Sequence, residues 1–104
     1  MEKTDLLQGT LDMLILKVLQ REATRGFGIC QRIHKLSEEV LRVGEGSLYR
    51  PQSQGWIESE WGQSDNNRKA KFYRLTKAGR KQLERENEGW EHMCVAIRRV
   101  IQST

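Results

Sequence analysis

The chain has 104 residues, 37% of them hydrophobic, enough for one compact domain with a modest core. Its 18 Lys and Arg against 14 Asp and Glu give a net charge of +4 and a pI near 9.3. Cys30 and Cys94 form neither a metal-binding spacing nor a disulfide framework, and the apolar run near the N-terminus is broken by Gln8, Gly9, Thr10 and Asp12. Secreted disulfide scaffolds and membrane spans are thereby excluded, and a reducing cytoplasm is the expected setting.

Leu7, Leu11, Leu14, Ile15 and Val18 recur at helical spacing, with Met13, Leu16 and Leu19 forming a second apolar strip. This predicts a helix from about Gly9 or Thr10 to Arg21, apolar on two sides. One side would face its own domain and the other a partner chain. After the polar stretch from Arg21 to Arg25, Gly26-Phe27-Gly28 opens a second helix that offers Phe27, Ile29, Cys30, Ile33 and Leu36 for burial. The two glycines allow close approach of another helix. Ser37-Glu38-Glu39 ends it, and Val40 to Val43 reads as a short strand or extended link.

Gly44-Glu45-Gly46 is a turn, and Ser47 is placed to cap a third helix. Trp56 to Trp61 and Lys71 to Leu75 read as two strands of a hairpin, joined by a long polar tip from Gly62 onward. Thr76 then caps a final helix of some 25 residues. Along it Leu83, Trp90, Cys94, Ile97 and Ile101 form a heptad-like stripe, widened by Met93 and Val100. A chain-end helix with such a seam implies pairing with a second copy. A lean core in a small chain points the same way.

Basic residues concentrate late: Arg68, Lys69, Lys71, Arg74, Lys77, Arg80, Lys81 and Arg85 face a single acid, Glu84, between Asn67 and Arg85. Such a segment suits a polyanion, although its helical part is equally a solvated face. The order helix, helix, short strand, helix, hairpin, long helix is that of a winged helix-turn-helix, mainly α with a small β-hairpin. In that arrangement the third helix enters the major groove of double-stranded DNA and the wing reaches the backbone. Arg68, Lys69 and Lys71 at the wing suit phosphate, and the amides of Asn66 and Asn67 suit phosphate, sugar or base edges. His34 and His92 stand alone, with no nucleophile pattern, metal spacing or phosphate loop near them, so neither an enzyme nor a cofactor is expected.

Leu6-Leu7-Gln8-Gly9-Thr10-Leu11-Asp12, Gly26-Phe27-Gly28-Ile29, Glu45-Gly46-Ser47-Leu48-Tyr49, Gly55-Trp56-Ile57, and Asn66 through Thr76 with Ala78-Gly79 follow one another along nearly the whole chain. This ordered set resembles the PadR family of transcriptional regulators, in its short form with one long C-terminal helix. The resemblance implies a homodimeric repressor whose operator affinity falls when a small molecule binds or conditions change. It divides the chain into a winged helix-turn-helix over residues 1–75 and a dimerisation helix over 76–104, one compact unit. It further implies operator contacts by Ser47, Tyr49 and Arg50 at the third helix and by Asn67, Arg68, Lys69 and Lys71 at the wing. Trp90 matches an aromatic position that lines a flat inter-protomer pocket in ligand-responsive members. With Met93, Cys94, Ile97 and Leu14 it forms either a simple dimer seam or a site for a planar aromatic compound.

One segment departs from the pattern. After Tyr49 only Arg50, Pro51, Gln52, Ser53 and Gln54 precede Gly55, so roughly one helical turn and two core leucines of the family are missing. A helix capped by Ser47 would carry Pro51 inside it, and Arg50 would be pushed from helical angles by the following proline. A helix starting at Pro51 would have barely one turn and no apolar residue to dock it. The departure points to an incomplete or altered sequence, a remodelled segment or an altered function; in the last case reading of DNA is impaired, and the alternative function is a small-molecule-binding or protein-interaction dimer.

Overall fold

The computed structural model describes residues 3–63 and 65–103, with side-chain surroundings from residue 8 onward. The side chain of Leu7 and the tip residue Ser64 therefore lie outside the described residues. Among the described residues four α-helices and three strands follow one another: α1 (Lys3–Arg21), β1 (Thr24–Arg25), α2 (Gly26–Leu36), a 3-10 turn (Glu45–Leu48), α3 (Tyr49–Ser53), β2 (Ile57–Gln63), β3 (Lys69–Leu75) and α4 (Lys77–Ser103). The strands form one antiparallel sheet in the order β1-β3-β2.

The core is built on α1. Ile15 and Leu16 are fully buried, and Met13, Val18 and Leu19 nearly so, against Ile29 and Ile33 of α2, Val43, Leu48, Ile57 and Leu83. Most of both apolar strips is thus covered within the chain, while Leu11 and Leu14 are half-buried at the edge of the core. The sheet and α2 cover part of the circumference and α4 takes another part. The helix also starts earlier than expected, at Lys3. Gly9 lies inside it, where a Cβ would sit 3.3 Å from the Glu86 carboxylate of α4, so this glycine marks a helix crossing.

Phe27 and Leu36 were expected in the core and are 61% and 66% exposed. On α2 the buried positions are Gly26, Ile29 and Ile33. Phe27 falls off that stripe by helical geometry, whereas Leu36 continues it at i+3 from Ile33 and is exposed as the last residue of the helix. Gly26 lies close to its neighbours: a Cβ there would sit 3.2 Å from Leu48 Cδ1 and 2.7 Å from Glu45 Oε1, the movable end of a side chain. Val40 to Val43 forms no strand and is an extended link. The third strand is instead β1, in the polar stretch before α2, where Thr24 pairs with Tyr73 and Arg25 with Phe72.

The segment after Gly44 resolves the conflict over Pro51. Ser47 is not a cap: it lies inside the 3-10 turn, its N–H bonded to the Gly44 carbonyl at 3.0 Å. The turn runs directly into α3, so Pro51 is the third residue of an α-helix, within the first turn where a missing donor costs little. Pro51 is also fully buried, and with Leu48 it supplies the apolar anchor that the sequence lacks in leucines. The helix then stops cleanly. Gly55 takes φ +77°, the Trp56 N–H bonds the Pro51 carbonyl at 3.0 Å and the Gly55 N–H bonds the Gln52 carbonyl at 3.1 Å, a Schellman closure.

Strands β2 and β3 run further than expected, pairing Gly62 with Ala70 and Gln63 with Lys69, so the tip between them is five residues rather than long. Thr76 caps α4 as expected, its Oγ1 accepting the Gly79 N–H at 3.0 Å while donating to the Gly55 carbonyl at 2.6 Å. Only Gly79 and Leu83 of α4 are buried. The 27-residue helix would measure about 40 Å, and the molecule extends 57 × 29 × 24 Å. Its radius of gyration, 15.4 Å, exceeds the roughly 13 Å of a compact chain of this length, because the C-terminal part of α4 projects.

Candidate nucleic-acid interface

Side chains on one face of a strand alternate, and the register assigns the wing its faces. Lys69, Lys71, Tyr73 and Leu75 of β3 share a face with Gln63, Trp61, Ser59 and Ile57 of β2. At the base of the hairpin this is the core face, with Ile57 buried. Further out the strands leave the body, and the same face presents Lys71, Trp61 and Lys69 to solvent. Lys71 Nζ lies 5.7 Å from the Tyr73 ring centroid, a cation–π contact that steadies the lysine. Asn67, at φ 61°, and Arg68 complete the tip, and both are exposed.

The opposite face carries Arg74, paired with Glu58, which faces it across the strands, at 2.8 Å and with Glu60 at 3.6 Å. Arg74 is neutralised in place. The basic segment read from the sequence is therefore narrower in space, and its outward charge lies towards the wing tip.

Trp61, 69% exposed opposite Lys71, was not singled out from the sequence. Alternation groups it with Ile57 and Ser59 and suggests burial. It is exposed because the strand outruns the core, which becomes visible only with the hairpin's length.

The third helix presents Tyr49, 77% exposed, together with Arg50, Gln52 and Ser53. Ser47 is half-buried. Three contacts hold the helix besides Pro51. Gln52 Nε2 donates to Ser59 Oγ of β2 at 3.3 Å, the Arg50 guanidinium lies 6.0 Å from the Trp56 ring centroid, and Arg50 Nε stands 3.3 Å from Asp12 Oδ2 of α1. Arg50, expected to face DNA, is thus half turned to its own chain. Its side chain is 50% exposed, while that of Asp12 is 1% exposed.

Asp12 is the other residue to which the sequence gave no site role, having served there to interrupt an apolar run and to close the first family-like piece. A lone acid between Leu11 and Met13 was the available signal. Among the described residues neither of its carboxylate oxygens has a hydrogen bond of good geometry. Burial pushes its pKa above the ordinary range; Arg50 and then Gln8 pull it back, and Glu86 of α4 pushes it up further.

On α4, Trp90, Met93 and Ile97 are 48%, 40% and 48% exposed, and Cys94 is half-buried. Leu14, grouped with them from the sequence, is half-buried against the chain's own core. Trp90, Met93 and Ile97 thus form an apolar stripe that their own chain leaves open. His34, on α2, has Nδ1 3.3 Å from the Leu41 carbonyl oxygen and ties the extended link to the helix.

A helical body, a short exposed helix and a basic two-stranded wing together define a winged-helix regulator of transcription rather than an enzyme. The chain belongs to the transcriptional regulator PadR-like family, whose model matches residues 15–85. Among solved structures, a PadR-like transcriptional regulator from Bacillus cereus is 27% identical, over 94% of this chain and 97% of that one, with a TM-score of 0.78. A transcriptional regulator from Clostridium thermocellum is 25% identical over 91% and 96%, with a TM-score of 0.80. An uncharacterized protein from Lysinibacillus sphaericus is 28% identical in an alignment of 94 residues that covers 86% of each chain. Among the described residues no helix is long and apolar enough to cross a membrane.

Proposed function

We propose that this DNA-binding regulator works as a homodimeric repressor in the cytoplasm, with residues 1–75 carrying DNA recognition and residues 76–104 carrying dimerisation. The observation that carries the reading is the wing, where Lys69 and Lys71 stand out on a hairpin face that leaves the core, beside the exposed helix α3. Asn67, Arg68, Lys69 and Lys71 bind phosphate and sugar, Ser47 binds phosphate, and Tyr49 reaches the backbone or a base edge. Arg50 adds its exposed half. The open stripe of Trp90, Met93 and Ile97, with Cys94 beside it and Leu14 at its margin, pairs with the same stripe of a second copy, an isologous contact.

A dimer reads two half-sites about one helical turn apart, so the operator is pseudo-palindromic. The test is fluorescence anisotropy with the DNA upstream of the gene against random duplex at matched salt. Tighter binding to the upstream duplex supports the reading, and equal binding sinks specific repression.

A second reading, a dimer that takes a planar aromatic ligand and reads DNA poorly, is favoured by the brevity of α3 and by the commitment of Arg50 to Asp12. In the repressor reading the same ligand releases the operator. Trp90, 48% exposed, would line the pocket. Quenching of tryptophan fluorescence by planar cationic aromatics, lost in Trp90→Ala, supports such a site, and quenching that survives the substitution removes it.

A further inference from the structure

Helix α3 has several features that oppose its formation. It has five residues, far short of a self-supporting helix. Arg50 precedes proline, a position biased away from helical angles, yet it is helical here. Tertiary contacts must hold it, and among the described residues Asp12 supplies its ion pair.

Asp12 is costly where it stands. A carboxylate that is 1% exposed and lacks good hydrogen bonds loses its hydration without full replacement. From α1 it is faced by Gln8, from α3 by Arg50 and from α4 by Glu86, so its one cationic neighbour among the described residues is also its link to the recognition helix. A neutral amide of the same shape would fit the same space more cheaply. The fold alone therefore does not account for a charge at this position, whereas seating Arg50 does.

We propose that Asp12 is a positioning residue for DNA binding, its buried carboxylate seating α3 against α1 through Arg50. The inference rests on the DNA-binding reading above. The Arg50 side chain turns its Nε to Asp12 and keeps half its surface in solvent, so the pair fixes where the exposed part of Arg50 and the neighbouring Tyr49 stand relative to the wing. Glu86 ties the arrangement to α4: its Oε1 accepts from Gln82 Nε2 at 2.8 Å, and its other oxygen lies over Gly9, one turn from Asp12. A shift of α4 against α1 would change the charge that Asp12 feels, and with it the hold on Arg50.

The experiment compares wild type, Asp12→Asn and Glu86→Gln by anisotropy with upstream and random duplex, across pH at fixed salt, alongside thermal melting. Asp12→Asn is expected to melt no lower than wild type at neutral pH while losing about tenfold in affinity for the upstream duplex and little for random DNA. Wild-type affinity for the upstream duplex should fall as acid protonates Asp12; the fall should be absent in Asp12→Asn and move to lower pH in Glu86→Gln. An Asp12→Asn protein that binds upstream DNA like wild type, with the same pH profile, overturns the proposal. So does one that melts far below wild type, since the carboxylate would then serve the fold. If wild type shows no preference for upstream DNA, the DNA reading itself fails. A melting cycle of Asp12→Asn, Arg50→Gln and the double variant then judges the pair, with non-additive shifts supporting it and additive shifts overturning it.

Discussion

Gly79 of α4 packs against the backbone carbonyl of Trp56, and a Cβ at position 79 would also come within 2.8 Å of Leu75 Cδ1. The wing and the long helix meet at this point. Thr76 reinforces it, holding the Gly55 carbonyl with its hydroxyl hydrogen and the Gly79 N–H with its oxygen. The glycine, the cap and the Schellman closure at Gly55 together set the angle at which α4 leaves the sheet.

Gly79→Ala should therefore destabilise the chain, because the obstructing atoms at Trp56 are backbone and cannot turn away. A loss of about 1–3 kcal/mol is expected, the range for overpacking. Thr76→Ala should cost about 1 kcal/mol through the lost cap. Urea denaturation of both variants, read by far-UV circular dichroism, checks the pair. A Gly79→Ala protein as stable as wild type would show that α4 does not approach the sheet this closely.

The pH dependence of stability should carry the mark of Asp12. Its pKa in the folded chain is raised by burial, so the native state holds this proton more tightly than the unfolded chain does. The contribution is fully present below the ordinary aspartate pKa of about 4 and is lost as pH rises through the folded value. Asp12→Asn should remove this component and be at least as stable as wild type at neutral pH. Denaturant midpoints of both proteins across the acidic range test this, and a variant that loses stability specifically at neutral pH would contradict it.

Ile97, 48% exposed on the open stripe of α4, should report on the dimer. In an isologous interface each substitution counts twice. Ile97→Glu should weaken self-association by at least about a hundredfold, given the usual worth of a buried isoleucine and the cost of a charge in its place. Sedimentation velocity over a concentration series gives the answer. Unchanged sedimentation would place the contact between copies elsewhere.

Much of the architecture was legible because it rests on periodicity. The apolar spacing in α1, the alternation around Ile57 and Leu75 and the Thr76 cap all report directly on burial or local bonding, and the spacing in α4 reports the helix and its apolar face. What was not legible depends on long-range geometry. β1 has two residues, too few for a pattern, and exists because Tyr73 and Phe72 of β3 offer a free edge. Pro51 reads as a helix breaker, and only the 3-10 turn leading into it turns it into a buried anchor. At the site, the wing lysines were legible as a basic cluster, whereas the withdrawal of Arg74 by Glu58 needed strand register. The tie between Asp12 and Arg50 joins residues 38 positions apart, with nothing local to announce it.

The central claim is that the wing of a dimer grips the phosphate backbone of a duplex, and the salt dependence of binding tests it most directly. Affinity for the upstream duplex should fall linearly on a double-logarithmic plot against salt, with a slope of about −0.9 for each phosphate neutralised. The Lys69→Ala/Lys71→Ala variant should give a slope shallower by about two to four, since each protomer loses two cationic contacts. Binding that barely responds to salt, or a variant with the slope of wild type, would contradict the account.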